Sequence, residues 1–230
     1  MPLLALVAGL AFSCQDDLNT VPAPTTGVLL NATFAEGKNG WEGDYTDYGT
    51  AQAELIAFKF EHTGLPAPLD PAQKALRVFG RNRSDDLFMF IRKQITGLVP
   101  NRAYKLVFNI ELASLYPANS IGIGGSPGSS VFLKAGATAT KPEKVKAGDY
   151  YTFSVDKGAQ SDVGKDAVAL GNVANGKDVA EYTLIRRANA EAPFTARTND
   201  KGELWIYVGT DSGFEGDQSL YYHKVTVTAL

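Results

Sequence analysis

The sequence predicts an all-β fold, a single jelly-roll-like β-sandwich with little helix. Two segments, residues 103–112 and 87–95, alternate apolar and polar side chains with the period of two that a half-buried strand requires. Other short apolar segments recur between turns rich in Gly, Pro and Asn. No stretch sustains a helical period, and residues 70–75 suffice for one short turn only. Many short strands with little helix are typical of a sandwich or jelly roll.

The strands follow one another in a regular order along the chain. The two clearest ones flank residues 96–101, where Gly97, Pro100 and Asn101 supply the residues of a tight turn. Strand composition also predicts further elements at residues 28–34, 53–61, 75–79, 131–134, 150–155, 181–187, 204–209 and 220–229.

Two connections are unusually long, at residues 113–130 and 156–179. Loops of this length in a compact domain are usually functional, or they contain short elements that the sequence does not reveal. There is no internal repeat and no second domain boundary, so we expect one β-sandwich domain over residues 28–230.

Composition limits the classes of function. The chain has 22 basic and 25 acidic residues, a formal net charge of −3, and 44% hydrophobic residues. A weakly acidic chain without a basic run is a poor candidate for nucleic acid, because phosphate neutralisation dominates that binding. Cys14 is the only cysteine, so no internal disulfide is possible, and a domain of this size does not need one.

The N-terminal segment indicates export. Leu3 to Phe12 is an apolar run that is too short for a membrane-spanning helix, which needs ~20 residues. Residues 11–14 (AFSC) resemble the lipobox of bacterial lipoproteins, and this resemblance implies cleavage before Cys14 and lipid on its thiol. Residues 15–17 (QDD) resemble the acidic signal that routes some Gram-negative lipoproteins to the cell surface.

This resemblance divides the chain into three parts. We expect a signal peptide over residues 1–13, a lipidated Cys14 with a flexible tether to residue 27, and the β-sandwich beyond it, held at the outer membrane. Residues 2–13 lack the Lys or Arg that usually begins such a signal. The alternative is a buried first strand or helix that contains an ordinary core cysteine.

The centre of the chain resembles a second family. Residues 88–108 contain an apolar strand, the turn ITGLVP and then YKLVF, and they are similar to the centre of jelly-roll carbohydrate-binding modules and their galactose-binding-like relatives. Residues 40–41, 75–78 and 221–227 match the family in the same order. The resemblance implies a jelly roll that binds glycan. Members with a structural calcium commonly have an acidic residue where this chain has His223 and Lys224.

An aromatic and acidic segment is the first candidate binding site. Trp41, Tyr45 and Tyr48 alternate with Asp44 and Asp47. Sugar recognition uses flat aromatic faces against C–H surfaces, with carboxylates and amides bonding the hydroxyls, and this segment supplies both kinds of group. The alternative is that Trp41 plugs one end of the sandwich while the tyrosines are ordinary strand residues.

Arg81 and Arg83 are the second candidate. Guanidinium groups suit carboxylate or sulfate groups in a bidentate geometry, so these residues, together with Arg77, suggest an acidic polysaccharide. Asp85 and Asp86 follow directly, and a locally paired, solvated turn is the alternative.

Asp211, Glu215 and Asp217 are the candidate metal ligands. They lie in a Gly-rich loop, where oxygen ligands suit a structural calcium ion, and a plain acidic turn is the alternative. No other cofactor is predicted. The segment 122–128 (GIGGSPG) lacks the strand–loop–helix context of a dinucleotide loop.

Catalytic motifs are mostly absent from the sequence, although the fold could still bring together two carboxylates that cleave a glycosidic bond. Only His62 and His223 occur, and there is no Gly-x-Ser-x-Gly elbow. We therefore expect a non-catalytic surface lipoprotein that binds carbohydrate. A structural or adhesive protein that binds another protein is the first alternative, and a glycan hydrolase or lyase is the second.

Overall fold

The computed structural model describes residues 25–230, so the predicted signal peptide, Cys14 and most of the tether lie outside the described residues. Within this range no helix is long and apolar enough to cross a membrane. The described part contains fifteen strands and, as its one helical element, a 3-10 turn at Thr50–Gln52. In chain order the strands are β1 Gly27–Ala32, β2 Glu42–Thr46, β3 Tyr48–Gly49, β4 Lys59–Gly64, β5 Lys74–Arg81, β6 Leu87–Ile95, β7 Ala103–Ser114, β8 Val131–Thr138, β9 Lys144–Ala147, β10 Tyr150–Phe153, β11 Ala167–Asn172, β12 Thr183–Ala188, β13 Phe194–Arg197, β14 Leu204–Ser212 and β15 Asp217–Ala229.

The strands form three antiparallel sheets. A seven-stranded sheet has the order β12-β7-β15-β5-β4, with β1 beside β15 and β13 beside β7. A five-stranded sheet has the order β11-β8-β14-β6-β2, and a small sheet has the order β3-β10-β9. The prediction of an all-β, jelly-roll-like sandwich is confirmed.

The main core lies between the two large sheets. On β7, burial alternates as the period of two predicts, with Leu106, Phe108 and Ile110 fully buried. The inward-facing residues of β14, such as Ile206 and Val208, pack against them in the same apolar cluster. Burying these side chains removes apolar area from water at ~25 cal/mol per Å² and stabilises the sandwich.

The five-stranded sheet is also covered on its outer face. Phe88 and Phe90 of β6, together with Tyr207 of β14, form a second apolar cluster with Phe153 of β10. β9, β10 and the loop that follows β10 therefore cover this face, and we call residues 140–166 the cover. Because the first part of β6 is buried on both faces, residues 87–91 are all apolar instead of alternating with polar residues, as in other sandwiched strands.

Several local predictions are wrong. Residues 53–58 contain no strand, and the strand predicted at 53–61 is instead Lys59–Gly64. Residues 70–73 form turns before β5 instead of a helical turn. The sequence prediction missed β2, β3, β9, β11 and β13, which are short or mostly polar. The long connection at residues 156–179 contains β11.

Candidate functional site

The predicted aromatic surface is largely inside the molecule. Trp41 is 3% exposed and Tyr48 is 2% exposed, and both belong to the main core. Trp41 packs edge-on against Phe34, with ring centres 5.9 Å apart. The prediction of an exposed platform is therefore wrong for these two residues, because their large apolar areas close one end of the sandwich.

Tyr45 is half-buried, and its ring is already in contact on both sides. It stacks on Tyr48 at 4.9 Å between ring centres, and its other neighbours are Phe58 and Lys144, whose ammonium lies 3.7 Å from the ring centre. Burial raises the pKa of the Tyr45 hydroxyl. Lys144 also pairs with Asp44 at 2.9 Å, so neither Tyr45 nor Asp44 presents a free binding group.

The arginine candidates lie apart from this aromatic segment. Arg81 makes two hydrogen bonds to Asp217, and Arg77 donates to Glu61 at 2.7 Å, so both guanidinium groups already have carboxylate partners. Arg83 is exposed. The partner of Arg81 is thus a carboxylate on the neighbouring strand β15, rather than Asp85 or Asp86 of the local turn.

The three candidate metal ligands do not converge. Asp211 is fully buried and pairs with lysines, Asp217 pairs with Arg81, and Glu215 bonds through its backbone to Ile123. Among residues 25–230 no group of three His, Cys, Asp or Glu side chains is arranged to hold a metal ion. Asp211 lies on β14 of the five-stranded sheet and Asp217 on β15 of the seven-stranded sheet, so these two carboxylates belong to different layers.

A buried charge cluster lies under the cover instead. It consists of Asp47, Asp86, Lys134, Lys157 and Asp211. Lys134 of β8 and Asp211 of β14 have no solvent exposure and are 3.0 Å apart between Nζ and Oδ2. Lys134 also donates to the backbone carbonyls of Lys157 at 2.9 Å and Asp162 at 3.0 Å. This lysine therefore joins the sheet to the cover.

Lys157 makes the complementary contacts from the cover. Its Nζ lies 2.7 Å from Asp211 Oδ2, 3.0 Å from Asp47 Oδ2 and 3.2 Å from the carbonyl of Gly158. Burial by itself lowers the pKa of Lys157, but Asp211 and Asp47 together raise it. Burial raises the pKa of Asp47 and lowers that of Lys134. With Asp211 and Asp47 as partners, the Lys157 ammonium stays charged and holds the surrounding chain in place.

Asp86 is the half-buried member of the cluster. Desolvation, followed by the negative charge of Asp211, raises the pKa of Asp86 to about 6. Its Oδ1 and the Oδ1 of Asp211 are both buried without a hydrogen-bond donor. Two carboxyl groups in this position cannot both be ionised at low cost, so they hold a proton more tightly than a free carboxylate does.

A cleft of about 480 Å³ opens beside this cluster. It is lined by residues 84–86 before β6, by Tyr150 at the start of β10 and by residues 159–162 of the cover, and we call it the Tyr150 cleft. Tyr150 as a residue is 38% exposed, and burial raises the pKa of its hydroxyl to about 12. The cleft thus combines an accessible aromatic ring with carboxylate, amide and hydroxyl groups.

The walls of the cleft are held by local hydrogen bonds. Asp156 accepts bonds from the backbone of Gly158 at 3.1 Å and Lys165 at 3.3 Å, which folds the cover into a compact loop. Gly158 has φ 70°, where an added Cβ would lie 2.4 Å from a backbone oxygen. Gln160 donates to the carbonyl of Asp85 at 3.2 Å, so the two walls meet at one side of the cleft.

Sequence reasoning did not identify Tyr150, Gln160, Asp162 or the two buried lysines as site residues. One signal was available: Lys134 is a charged residue inside the apolar strand VFLKAGA. A lysine in such a strand needs a buried partner, and Asp211 within β14 is the matching anomaly.

Comparisons with known proteins give structural likenesses only. No protein-family model matches the sequence, and no curated protein is significantly similar to it. A carbohydrate-binding module that specifically recognises mannan is 11% identical, with 88% of this chain and 97% of that chain covered and a TM-score of 0.45. An adhesin domain of Lys-gingipain from Porphyromonas gingivalis is 12% identical, with 87% and 97% covered and a TM-score of 0.42.

The carbohydrate-binding and catalytic modules of a Clostridium thermocellum xylanase are 10% identical to this chain. The match covers 89% of this chain and 29% of that one, with a TM-score of 0.41. Carbohydrate-binding modules thus occur among the structural neighbours, but TM-scores below 0.5 carry no functional conclusion.

Proposed function

We propose that this chain is a non-catalytic surface protein, lipid-anchored through Cys14, that binds carbohydrate in the Tyr150 cleft. One observation carries the binding site. An accessible tyrosine ring lies beside carboxylate and amide side chains in a cleft large enough for a sugar unit. The ring offers an apolar face to sugar C–H groups, while Asp85, Gln160 and Asp162 offer partners for hydroxyl groups.

The position of the cleft agrees with attachment at the N-terminus. Gly27 pairs with Ala229 at one end of β15, whereas Arg81, just before the cleft, pairs with Asp217 at the other end. A strand of this length spans ~40 Å at ~3.3 Å per residue. A tether from Cys14 therefore enters the domain at one end, and the cleft opens near the other.

The binding proposal is tested with the full-length protein in detergent on a glycan array, followed by calorimetry with the best glycan. Tyr150→Ala is expected to weaken binding at least tenfold, which corresponds to about 1.4 kcal/mol. Val145→Ala is the matched control, because Val145 is 44% exposed in the same small sheet and lies outside the cleft. Equal losses in the two variants, or no glycan bound, would contradict the proposal.

The anchor is tested separately by mass spectrometry of the protein from its native membrane. We expect the mature chain to begin at a lipid-modified Cys14. A chain that retains Met1 with an unmodified Cys14 would remove the anchor from the proposal without affecting the cleft.

A protein-binding function is the second candidate, and one observation favours it. Ile121 is 98% exposed and Ile123 is 72% exposed in the long connection after β7, at the same end of the molecule as the cleft. Exposed apolar groups of this kind contact partners in many surface proteins. If protein binding is the function, the double variant Ile121→Ser and Ile123→Ser abolishes cross-linking to a neighbouring surface protein and leaves glycan binding intact.

The carboxylates of the buried charge cluster do not form a free catalytic pair. Asp211 has no solvent exposure, and Asp47 and Asp211 both lie within 3.0 Å of the Lys157 ammonium. A glycosidase needs two carboxyl groups that flank and touch the scissile bond. Asp86 is the one member of this cluster that lines the Tyr150 cleft, so the cluster brings no pair of carboxyl groups to the cleft.

A further inference from the structure

Lys134 and Asp211 form the most completely buried ion pair within residues 25–230. Neither side chain has any solvent exposure, and Nζ of the lysine lies 3.0 Å from Oδ2 of the aspartate. In the ladder between β8 and β14, Lys134 is opposite Gly209, two positions from Asp211, so the two side chains are diagonal neighbours on one face of the sheet. Two paired strands therefore hold an amino group against a carboxyl group in a place without water.

The oxygen atoms around Lys134 fit a neutral amine. Its Nζ donates to the backbone carbonyls of Lys157 at 2.9 Å and of Asp162 at 3.0 Å. A neutral amine has two N–H groups and one lone pair, so these two bonds leave the lone pair for the third neighbour, the carboxyl group of Asp211. Burial lowers the pKa of Lys134, which favours the neutral form. A desolvated lysine of this kind is a nucleophile.

Lys157 has a different role beside the same carboxyl group. Its Nζ lies 2.7 Å from Oδ2 of Asp211 and 3.0 Å from Oδ2 of Asp47. Burial lowers the pKa of Lys157, but the two carboxylates together raise it, so this lysine remains an ammonium. A positive charge at Oδ2 draws electrons from the carboxyl carbon and stabilises negative charge that develops on that oxygen. Lys157 is thus placed to activate Asp211, and Lys134 is placed to attack it.

Asp86 is the group that can transfer protons to Asp211. The two side chains are close enough to share a hydrogen bond, which two carboxyl groups form only with a proton between them. The Oδ1 atoms of both residues are buried and have no other donor. Desolvation, followed by the charge of Asp211, raises the pKa of Asp86 to about 6, so Asp86 both gives and accepts a proton near neutral pH. Asp86 also lines the Tyr150 cleft, which gives a released water molecule a route to solvent.

We propose that Lys134 and Asp211 condense to an intramolecular amide bond after the chain has folded. Lys134 first gives one proton of its ammonium to the carboxyl pair, where the proton rests on Oδ1 of Asp211. The Lys134 nitrogen then attacks Cγ, and an electron pair of the C=O bond moves to Oδ2 beside Lys157. Asp86 carries a second proton from the nitrogen to Oδ1, which leaves as water while the C=O bond to Oδ2 forms again. One ammonium and one carboxylate thereby give one amide and one water molecule, without an oxidant or a co-reactant.

Burial and contact both favour the amide over the ion pair. The reaction replaces two buried charges by a neutral group and so removes the cost of their desolvation. Groups that are held in contact react at effective concentrations of roughly 10⁵–10⁸ M, which drives a condensation that dilute groups in water do not complete. Hydrolysis is hindered, because neither Lys134 nor Asp211 is exposed to solvent. The proposal concerns the construction of the domain and does not depend on carbohydrate binding.

The amide closes a loop that runs from residue 134 to residue 211 and contains the whole cover. A cross-link of this kind lowers the conformational entropy of the unfolded chain and stabilises the fold. Protein that is studied directly after refolding still holds the ion pair, and its free energy of unfolding is that of the uncrosslinked chain. Aged protein holds the amide, so its midpoint in urea denaturation should be higher.

The test is intact mass spectrometry of the full-length chain in detergent, refolded from urea-solubilised inclusion bodies and sampled over several days at neutral pH. Folded protein is expected to become lighter by the mass of one water molecule. A proteolytic digest of the aged protein should contain one branched peptide that joins Lys134 to Asp211. A sample kept unfolded in urea should retain the mass of the sequence. Folded protein that also retains this mass would overturn the proposal.

Three variants and a control assign the chemistry. Lys134→Arg keeps the charge but removes the amine, and it should abolish the mass loss. Asp211→Asn should form the same amide with loss of ammonia in place of water. Asp86→Asn should slow the reaction at least tenfold, and it keeps the test valid if the Lys134 variant does not fold. Lys144→Arg is the matched control, because Lys144 contacts Asp44 at a similar distance of 2.9 Å but in partial contact with solvent, and the mass loss should persist.

Two further results would overturn the proposal. A branched peptide that joins Lys157 to Asp211 would show that the other lysine is the nucleophile. A loss of water that persists in Lys134→Arg would come from a cyclic imide elsewhere in the chain.

Discussion

The two faces of the five-stranded sheet are both buried, but they are buried in different ways. The inner face meets the seven-stranded sheet through apolar side chains such as Leu133 and Val208. The outer face has an aromatic group around Phe88 and Tyr207, and next to it are the wholly buried charges of Lys134 and Asp211. A β-sandwich needs only the apolar inner face to fold. The buried charges on the outer face therefore indicate that this face has a further function.

The difference is also one of construction. The inner core joins residues on regular strands, whose positions follow from a period of two. The outer face is closed by the cover, where Phe153 packs on Phe88 and Phe90 with ring centres 5.1 and 4.6 Å away. Much of the cover is irregular chain held by hydrogen bonds to Lys134 and Asp156. We therefore expect the inner face to determine global stability and the outer face to determine local stability and binding.

Phe108→Ala is expected to have the largest effect on stability. Phe108 is fully buried between the sheets, and the loss of a core phenylalanine costs about 3–5 kcal/mol through lost burial and the cavity that remains. Urea denaturation measures the free energy of unfolding. Val107→Ala on the same strand is the control, because Val107 faces outward, and it should cost less than 1 kcal/mol.

Asp211→Ala is expected to cause the next largest loss in the free energy of unfolding, about 3 kcal/mol. It leaves Lys134 and Lys157 buried without their shared carboxylate, and breaking a buried ion pair is strongly destabilising. Asp217→Ala, which removes the exposed partner of Arg81, should cost less than 1 kcal/mol. Similar losses in the two variants would show that the charge cluster is not desolvated.

Phe153→Ala is expected to lower the free energy of unfolding by about 2 kcal/mol. The loss is smaller than for Phe108 because the apolar cluster around Phe153 is smaller than the main core and the cover relaxes around the cavity. The effect should be local. Hydrogen exchange at the amides of β9 and β10 should accelerate more than tenfold, while exchange in β7 and β15 stays near wild type. Uniform acceleration in all four strands would contradict the distinction between the two faces.

Asp86→Asn is expected to have the smallest effect on the free energy of unfolding, and this effect depends on pH. A carboxyl whose pKa is raised from 3.8 to about 6 stabilises the fold at low pH, and this contribution is lost as pH rises through 6. Solvent screening at this half-exposed group limits the change to about 1 kcal/mol. From pH 4 to pH 7 the wild type should therefore lose about 1 kcal/mol relative to Asp86→Asn in urea denaturation. Parallel pH profiles would contradict the role of Asp86.

The strands that form the inner core could be predicted from sequence because the apolar pattern of each strand lies within one short segment. The predicted segments at residues 87–95 and 103–112 correspond to β6 and to most of β7. The missed strands are short or polar. β9 (KVKA) is exposed along most of its length, so no buried face imposes an alternating pattern on it.

The site could not be predicted in the same way. Lys134 and Asp211 lie 77 positions apart in sequence, and they meet only because β8 and β14 are neighbours in the five-stranded sheet. Trp41 and Tyr48 misled the prediction, since composition does not distinguish an aromatic residue that closes a core from one that faces a ligand. Tyr150 begins a segment that the sequence predicts only as a strand, and the cleft it lines also depends on residues 84–86 from a distant loop.

The most direct test of the account is to map the bound glycan onto the protein by amide chemical-shift changes in NMR spectra of the full-length chain in detergent. The account predicts the largest changes at residues 84–86, at Tyr150 and at residues 159–162, with small changes on the outer face of the seven-stranded sheet. Changes centred on Thr226 and Lys224 of that sheet, with none around Tyr150, would contradict it.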